Sequence, residues 1–191
     1  MTPIAVFVSG NGTNCEALIR HFGTSSRAKV ALVVSSSPSA YALVRAKNLG
    51  VPTAVLSKSE LNDPEVVLPL LRKYKTKWIV LAGFLKVVPD FVLEAFPRKV
   101  VNLHPALLPK FGGKGMYGHH VHEAVKAAGE SVTGMTVHYV TSQVDGGQII
   151  AQFSVPVLPS DTAGDIAEKE HVLEMEHFPS VIEGLIEGKI K

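Results

Sequence analysis

Short apolar runs recur through the first half of the chain, and each is followed by a turn and then by a segment whose apolar residues have helical spacing. The apolar runs are residues 4–8, 29–34, 52–56 and 77–82. The intervening helical segments are residues 15–22, 40–49 and 64–74. Continuous runs rich in Val, Ile, Leu and Ala are typical of strands that are buried on both faces. The pattern therefore predicts βαβ units, a mostly parallel sheet and helices on both of its faces, which is a three-layer α/β fold.

The pattern changes in the last third of the chain. Residues 133–140 and 148–157 are predicted strands, and the segment between them contains an Asp-Gly-Gly sequence that is typical of a hairpin turn. A capping box that begins at Thr162 then opens a long segment with an apolar stripe. We therefore expect an antiparallel C-terminal strand pair and a long C-terminal helix.

A fifth predicted strand, residues 100–104, carries two reactive side chains at its end. Alternation along a strand directs Val101 and Leu103 to one face and Asn102 and His104 to the other. The carboxyl ends of parallel strands border the crevice in which ligands bind. An amide donor beside an imidazole suits a carbonyl oxygen that gains negative charge, although a polar strand end that only hydrogen-bonds to a loop would have the same sequence.

Asp145, in the predicted hairpin turn, has two interpretations. It can be turn chemistry alone. It can also be a buried carboxylate close to His104, which would hold the imidazole in one tautomer and raise its pKa above the usual value of about 6.5.

The turn at residues 9–14 lies between the first predicted strand and the first predicted helix and has the sequence Ser-Gly-Asn-Gly-Thr-Asn. Such a turn presents free N–H groups and the positive end of a helix to an anion. It lacks the Gly-Lys-Ser/Thr ending of a P-loop and the glycine spacing of dinucleotide-binding folds. The sequence predicts a phosphate site, but a tight turn without a ligand favours the same residues.

Two loops near these strand ends have unusual compositions. Residues 83–89 are mostly apolar, which is typical of a wall for a flat apolar ligand or of packing against the next helix. Residues 110–118 contain four glycines, which predicts a mobile or tightly turned loop of the kind that closes over substrates.

Two clusters of titratable residues also need an interpretation. The first cluster is His119, His120 and His122, and the second is Glu170, Glu174 and Glu176. No carboxylate or cysteine completes a recognised zinc spacing with the histidines, so we expect a solvated helix start and no metal site. The glutamates are expected on a solvated helix face, although one of them could reach an amine substrate.

Composition limits the possible classes of protein. The chain has 191 residues, of which 46% are hydrophobic and 19% charged, as expected of a globular enzyme that forms one domain over residues 1–191. A net charge of +2 without a basic block argues against nucleic acid or an anionic membrane as the main partner. No apolar run approaches the roughly 18 residues of a membrane span. The only cysteine, Cys15, is expected to be buried, and with no basic leader before the first strand we expect a cytoplasmic protein.

Four motifs stand in the order and approximate spacing of the phosphoribosylglycinamide formyltransferases, and the chain resembles that family over essentially its whole length. The motifs are residues 9–14, 81–85, 102–109 and 144–147. The resemblance implies a Rossmann-like formyltransferase fold and a step of purine biosynthesis. It also implies 10-formyltetrahydrofolate as the formyl donor, the amine of glycinamide ribonucleotide as the acceptor, no metal, and a monomer or homodimer.

The resemblance assigns roles to individual residues. The catalytic trio would be Asn102, His104 and Asp145. The ribonucleotide would be bound by Gly10, Asn11, Gly12, Thr13, Asn14 and Glu174. The folate would be bound by Leu85, Lys86, Val87, Val88, Asn102, Thr141, Ser142, Gln143, Val144 and Asp145. Phosphate binding would thus occupy about residues 1–100, and folate binding and catalysis about residues 80–191.

The chemistry of the trio agrees with this resemblance. Attack by an amine on a formyl carbon creates a negative oxygen, to which Asn102 can donate a hydrogen bond. Protonated His104 can donate a second hydrogen bond or a proton. Asp145 would orient and charge His104 and could relay the proton of the amine through a water molecule.

The chain departs from the family pattern in two places. The loop at residues 112–118 is longer than in the commonest members, and the segment before residues 61–65 lacks an arginine that often contacts folate.

Other classes of protein are alternatives. A formyltetrahydrofolate hydrolase would use the same trio with water as the nucleophile. A methionyl-tRNA formyltransferase would carry a second, RNA-binding domain. A non-enzymatic nucleotide-binding module or an oxidoreductase would explain the sheet and the glycine turn, but not the trio.

Overall fold

A computed structural model describes residues 1–190 as one seven-stranded sheet with helices on both faces. The strands are β1 (Thr2–Val8), β2 (Ala28–Ser35), β3 (Thr53–Val55), β4 (Trp78–Leu81), β5 (Val100–His104), β6 (Val132–Tyr139) and β7 (Ile149–Pro156). The helices are α1 (Thr13–Thr24), α2 (Tyr41–Asn48), α3 (Lys58–Leu61), α4 (Pro64–Lys73), α5 (Asp90–Ala95), α6 (His119–Ala127) and α7 (Ala163–Ile186). None of the helices within residues 1–190 combines the length and the apolar composition that crossing a membrane requires.

The strand order is β3-β2-β1-β4-β5-β6-β7, and the first five of these strands are parallel. Strand β6 runs antiparallel to β5, and β7 runs antiparallel to β6. The predicted parallel sheet, antiparallel C-terminal pair and long C-terminal helix are therefore confirmed. The order brings the carboxyl ends of β1, β4 and β5 to one edge, where β6 lies beside the last residues of β5.

The buried strands divide their side chains between two apolar layers. In β1, Ile4, Val6 and Val8 pack in the layer beneath α1, α2 and α7, whereas Ala5 and Phe7 pack beneath α3, α4 and α5. Both faces of the strand are covered, which is why its sequence is apolar without alternation. The three-layer α/β arrangement follows from this double burial.

The prediction for strand β5 is confirmed in the same way. Val101 and Leu103 lie in the layer beneath α1 and α7, and Asn102 and His104 occupy the other face.

Cys15 is fully buried, as expected, and this burial raises the pKa of its thiol to about 12. The helix α3 was not predicted, because its four residues are held by a capping box between Ser57 and Glu60 and carry too few positions to show a period.

Close backbone contact at Gly134 supports the pairing of β6 with β7. A Cβ atom at Gly134 would lie 1.9 Å from the carbonyl oxygen of Phe153, whereas a Cβ atom at Gly23 in α1 would meet nothing within 4 Å. We therefore expect Gly134→Ala to lower the free energy of unfolding by about 1–3 kcal/mol or more through overpacking. Gly23→Ala should raise it by up to about 1 kcal/mol, because alanine favours helices. Urea unfolding of both variants measures the difference, and equal unfolding midpoints would contradict the described strand pairing.

Candidate active site

A cavity of about 590 Å³ opens where the carboxyl ends of β1, β4 and β5 meet the loops that follow them. Of the residues that the sequence predicted for the site, only Ser142 does not line this cavity. The predicted residues that line it are Gly10, Asn11, Gly12, Thr13, Asn14, Leu85, Lys86, Val87, Val88, Asn102, His104, Thr141, Gln143, Val144, Asp145 and Glu174. The fold therefore brings the four sequence motifs into one site.

The carboxylate of Asp145 lies between two histidines. Its Oδ2 atom is 3.6 Å from Nδ1 of His104, and its Oδ1 atom is 3.5 Å from Nε2 of His138. The backbone N–H of Gly113 donates a hydrogen bond to Oδ2 over 2.9 Å. Both carboxylate oxygens are thus occupied, which fixes the orientation of the side chain.

Strand pairing places His138 beside Asn102. The two residues are directly opposite each other in the β5–β6 pair, and Nδ2 of Asn102 is 3.1 Å from Nε2 of His138. The other ring nitrogen, Nδ1, lies 2.9 Å from the carbonyl oxygen of Tyr139 and must donate to it. When His138 is neutral, its Nε2 accepts from the Asn102 amide, whose second N–H remains free for a ligand. When His138 is protonated, Nε2 instead donates towards Oδ1 of Asp145.

The imidazole of His104 is held by a backbone carbonyl group as well as by Asp145. Its Nε2 donates to the carbonyl oxygen of Phe111 over 2.8 Å, so Nδ1 is the nitrogen that faces Asp145 and takes up the second proton. The prediction that Asp145 raises the pKa of His104 above its usual value is wrong. Burial is the largest influence and lowers the pKa of His104, because only 3% of the residue is exposed, while Asp145 and the Phe111 carbonyl oppose this effect.

Asp145 is the charged member of the pair near neutral pH. Burial favours its neutral form, but hydrogen bonds from His138 and from the Gly113 N–H, together with the charges of both histidines, outweigh burial and lower the pKa of Asp145. The residue has a positive φ of 53°, a conformation that aspartate and asparagine tolerate better than most residues. The turn after it is tight, since a Cβ at Gly147 would lie 1.7 Å from the carbonyl oxygen of Tyr139.

The glycine turn after β1 leads directly into α1. Gly12 has a left-handed conformation with φ of 79°, and a Cβ atom there would lie 2.3 Å from the Cβ of Ala42. Helix α1 begins at Thr13, two residues earlier than predicted, and no side chain caps its first N–H groups. These groups and the helix dipole are therefore directed at the cavity, as a phosphate site requires.

Arg45 of α2 holds this turn in place. Its Nε donates to the backbone carbonyl of Asn11 over 2.9 Å, its Nη2 donates to Oδ1 of Asn11 over 3.0 Å, and its Nη1 is paired with Glu16. Arg20 pairs with the other oxygen of Glu16 but does not contact Asn11. Arg45 is therefore the arginine that ties the glycine turn to the second helix.

Helix α7 brings two carboxylates to the cavity side of the molecule. Glu174 accepts a hydrogen bond from Asn14 over 2.8 Å and lies 3.3 Å from Nδ1 of His171. Glu170, one turn earlier, is only 1% exposed and is contacted by His122. The expectation of a solvated face is wrong for Glu170 and Glu174, because α6 and β6 cover this part of α7.

The three clustered histidines also differ in burial. His119 and His120 are exposed, as expected of a helix start, whereas His122 is buried and lines the cavity. No group of three or more His, Cys, Asp or Glu side chains within residues 1–190 is arranged to hold a metal ion.

The apolar loop after β4 combines both predicted roles. Phe84 and Val88 are buried and pack beneath α4 and α5. Leu85 and Val87 are exposed and line the cavity, so the same loop anchors itself and offers an apolar wall.

Sequence reasoning missed four contributors to the site. They are His138, the backbone of Phe111, Arg45 and His122. Alternation along β6 already placed His138 on one face with Thr136, but only the register of β6 against β5 brings it to Asn102. The other three contacts depend on loop paths and helix packing, for which the sequence contains no periodic signal.

The contacts of Arg45 predict its effect on anion binding. Arg45→Met should weaken binding of ribose 5-phosphate by about tenfold, because the turn loses hydrogen bonds worth roughly 1.4 kcal/mol that keep its N–H groups aligned. Arg20→Met is the matched control, since it removes a cation from Glu16 but no contact with Asn11. Titration calorimetry gives both dissociation constants, and equal weakening in the two variants would show that charge alone is responsible.

Comparison with known proteins places the chain in a family. Residues 2–182 match the model of the family described as formyl transferase. The phosphoribosylglycinamide formyltransferase of Haemophilus influenzae is 36% identical over 197 residues, covering 100% of this chain and 90% of that protein. The chloroplastic phosphoribosylglycinamide formyltransferase of Arabidopsis thaliana is 37% identical over 198 residues that cover 98% of this chain. The chain spans 66% of the length of that plant relative, slightly less than two thirds.

Solved structures agree with the sequence relatives. The phosphoribosylglycinamide formyltransferase from Anaplasma phagocytophilum has a TM-score of 0.90 and 34% identity, with 100% of this chain and 89% of that chain covered. Glycinamide ribonucleotide transformylase 1 from Symbiobacterium toebii has a TM-score of 0.89 and 33% identity, with 98% and 89% covered. Since the family match extends over nearly all of the sequence and the folds agree throughout, the chain belongs to the formyl transferase family.

Proposed function

We propose that this chain transfers the formyl group of 10-formyltetrahydrofolate to the amine of glycinamide ribonucleotide. The products are formylglycinamide ribonucleotide and tetrahydrofolate, and the reaction is a step of purine biosynthesis. The observation that carries the proposal is one cavity that holds Asn102, His104 and Asp145 between an anion-binding helix end and an apolar wall. The names of the relatives and of the solved structures support formyl transfer to the same acceptor.

The acceptor would lie along α1 and α7. Its phosphate would bind at the glycine turn, where residues 10–14 offer N–H groups at the start of α1. Glu174 lines the same side of the cavity and is oriented by Asn14, so its carboxylate is available for polar groups of the ribonucleotide.

The donor would lie on the opposite side of the strand ends. The flat ring of the folate would pack between the loop at residues 85–88 and the turn at residues 141–145, which supply the exposed apolar side chains Leu85, Val87 and Val144. Its formyl group would then reach Asn102 and His104, which face this side of the sheet.

The transfer needs stabilisation of a negative oxygen more than it needs a protein nucleophile. The amine attacks the formyl carbon, and the resulting oxyanion accepts the free N–H of Asn102. His104, in its protonated form, supplies a second donor through Nδ1, which lies 3.6 Å from Asp145 and is therefore not tightly hydrogen-bonded to it. The same N–H then gives a proton to the leaving nitrogen. Burial lowers the pKa of His104, which makes its protonated form the stronger acid, and Asp145 opposes part of this effect.

The remaining features of the proposal concern the whole molecule. We place the reaction in the cytoplasm, and the buried free thiol of Cys15 is compatible with that compartment. We also propose a single domain that works as a monomer or homodimer on small-molecule substrates, because one cavity is lined by residues from both the N-terminal and the C-terminal half of the chain.

The direct test is deformylation of 10-formyltetrahydrofolate by the purified chain with and without glycinamide ribonucleotide. We expect turnover that requires the ribonucleotide, because the cavity has an anion site beside the trio. Turnover without the ribonucleotide would identify water as the acceptor and the protein as a hydrolase. Absence of turnover under both conditions would contradict the proposed donor and acceptor.

Asp145→Asn tests the charge of the trio. Asparagine can keep the left-handed conformation and the Gly113 hydrogen bond, so we expect the fold to persist and kcat to fall about a hundredfold or more. The carboxylate raises the pKa of His104, so its loss should lower that pKa further. His104 acts as an acid, so the alkaline limb of the kcat/KM profile should move to lower pH. The exposed Asp90→Asn is the control, and an unchanged rate and profile in Asp145→Asn would remove Asp145 from the mechanism.

A further inference from the structure

A buried histidine–carboxylate pair, of which the histidine lines the cavity, has no part in the mechanism derived so far. Nδ1 of His122 in α6 is 2.7 Å from Oε2 of Glu170 in α7, but neither atom makes a hydrogen bond of good geometry among residues 1–190. The second carboxylate oxygen of Glu170 accepts a hydrogen bond from Thr133 of β6. The pair is almost completely buried, with Glu170 1% and His122 8% exposed.

Burial of two ionisable groups costs folding free energy, which favours a functional role for the pair. Burial, which is the largest influence, and nearby Glu174 raise the pKa of Glu170, while the close contact with His122 and the hydrogen bond from Thr133 oppose this. A buried carboxylate behind an imidazole fixes the ring and selects its tautomer, as an orienting acid does for a general base. With Nδ1 turned to Glu170, Nε2 is the ring nitrogen of His122 that remains for a ligand in the cavity, which His122 lines.

The pair lies on the acceptor side of the sheet. Thr133 shares its strand face with Met135 and Val137, which pack in the layer beneath α7, whereas Asn102, His104 and His138 occupy the opposite face. Glu174, which we place beside the ribonucleotide, is one helical turn from Glu170. His122 is therefore the titratable ring on the side from which the amine would arrive.

Asp145 is poorly suited to take the proton of the amine. Its Oδ2 is bound by the Gly113 N–H, and its Oδ1 faces His138. Its lowered pKa makes it a weak base, and it lies on the donor side of the site. A separate proton acceptor on the acceptor side would resolve this difficulty.

We propose that His122, positioned by Glu170, is the general base that takes the proton from the attacking amine. As the bond from nitrogen to the formyl carbon forms, the N–H proton of the amine moves to Nε2 of His122, and the Nδ1 proton stays with the Glu170 contact. As the bond from the formyl carbon to the folate nitrogen breaks, that nitrogen takes a proton from His104. One proton is thus gained and one lost per turnover, and solvent restores both histidines.

The two histidines would assist each other. Positive charge on His122 lowers the pKa of His104, so arrival of the proton of the amine on His122 makes His104 a better donor to the leaving nitrogen. The other charged or titratable groups that line the cavity are Lys86, His104, Lys114, Tyr117, His138, Asp145 and Glu174. Glu170 contacts His122 from α7, and His119 is exposed on the same helix as His122.

The test uses the full chain in the ribonucleotide-dependent deformylation assay, on which this inference rests. We expect His122→Ala to lower kcat about a hundredfold, a typical contribution of general base catalysis, with little change in the KM for the folate. Added imidazole should restore part of the rate in proportion to its concentration, because it can enter the space left by the ring. His120→Ala is the matched control on the same helix and should keep the wild-type rate, since its side chain is exposed and lies outside the cavity.

Glu170→Gln provides a second, nearly isosteric test that does not remove the ring. A neutral amide stabilises the imidazolium less than a carboxylate does, so the acidic limb of the kcat/KM profile should move to lower pH. A wild-type rate in His122→Ala would overturn the proposal. So would a loss that imidazole does not restore together with an unshifted profile in Glu170→Gln, which would mean that the pair is structural. Failure of the proposed function itself would be seen separately, as no ribonucleotide-dependent turnover in the wild-type protein, and would overturn both.

Discussion

The carboxylate of Asp145 joins three segments of the chain that are distant in sequence. It contacts His104 at the end of β5, His138 in β6 and the backbone of Gly113 in the glycine-rich loop. Each contact satisfies an oxygen that burial would otherwise leave costly. The orientation of Asn102 depends on the same arrangement, because its amide donates to the histidine that also faces Asp145. Loss of this one carboxylate would therefore disturb Asn102, His104 and His138 together.

Much of the architecture was predictable because burial leaves a periodic trace in the sequence. The apolar run of β1 indicated a strand covered on both sides, and alternation in β5 placed Asn102 and His104 on one face. Contacts that depend on the register between two paired strands leave no periodic pattern in the sequence. His138 reaches Asn102 only because β6 pairs antiparallel with β5 at that position, and Phe111 reaches His104 through the path of a loop.

The errors in the prediction have a common physical cause. A sequence shows which charges can meet, but it does not show how much water surrounds them. The proximity of Asp145 was predicted to dominate the pKa of His104, whereas burial dominates it. Glu170 was predicted to be solvated because three acids crowd one helix, yet α6 and β6 remove it from water. The pKa values of these groups depend on how neighbouring elements bury them, so their directions could be inferred only from the structure.

The hydrogen bonds that the glycine-rich loop makes to the trio within residues 1–190 all come from its main-chain atoms. The carbonyl of Phe111 accepts from His104, and the N–H of Gly113 donates to Asp145. Main-chain groups are the same for nearly every amino acid, so side chains in this loop can change during evolution without altering the tautomer of His104. The loop is therefore free to adapt to the shape of a ligand, while any movement of its backbone would change the protonation of both catalytic partners at once.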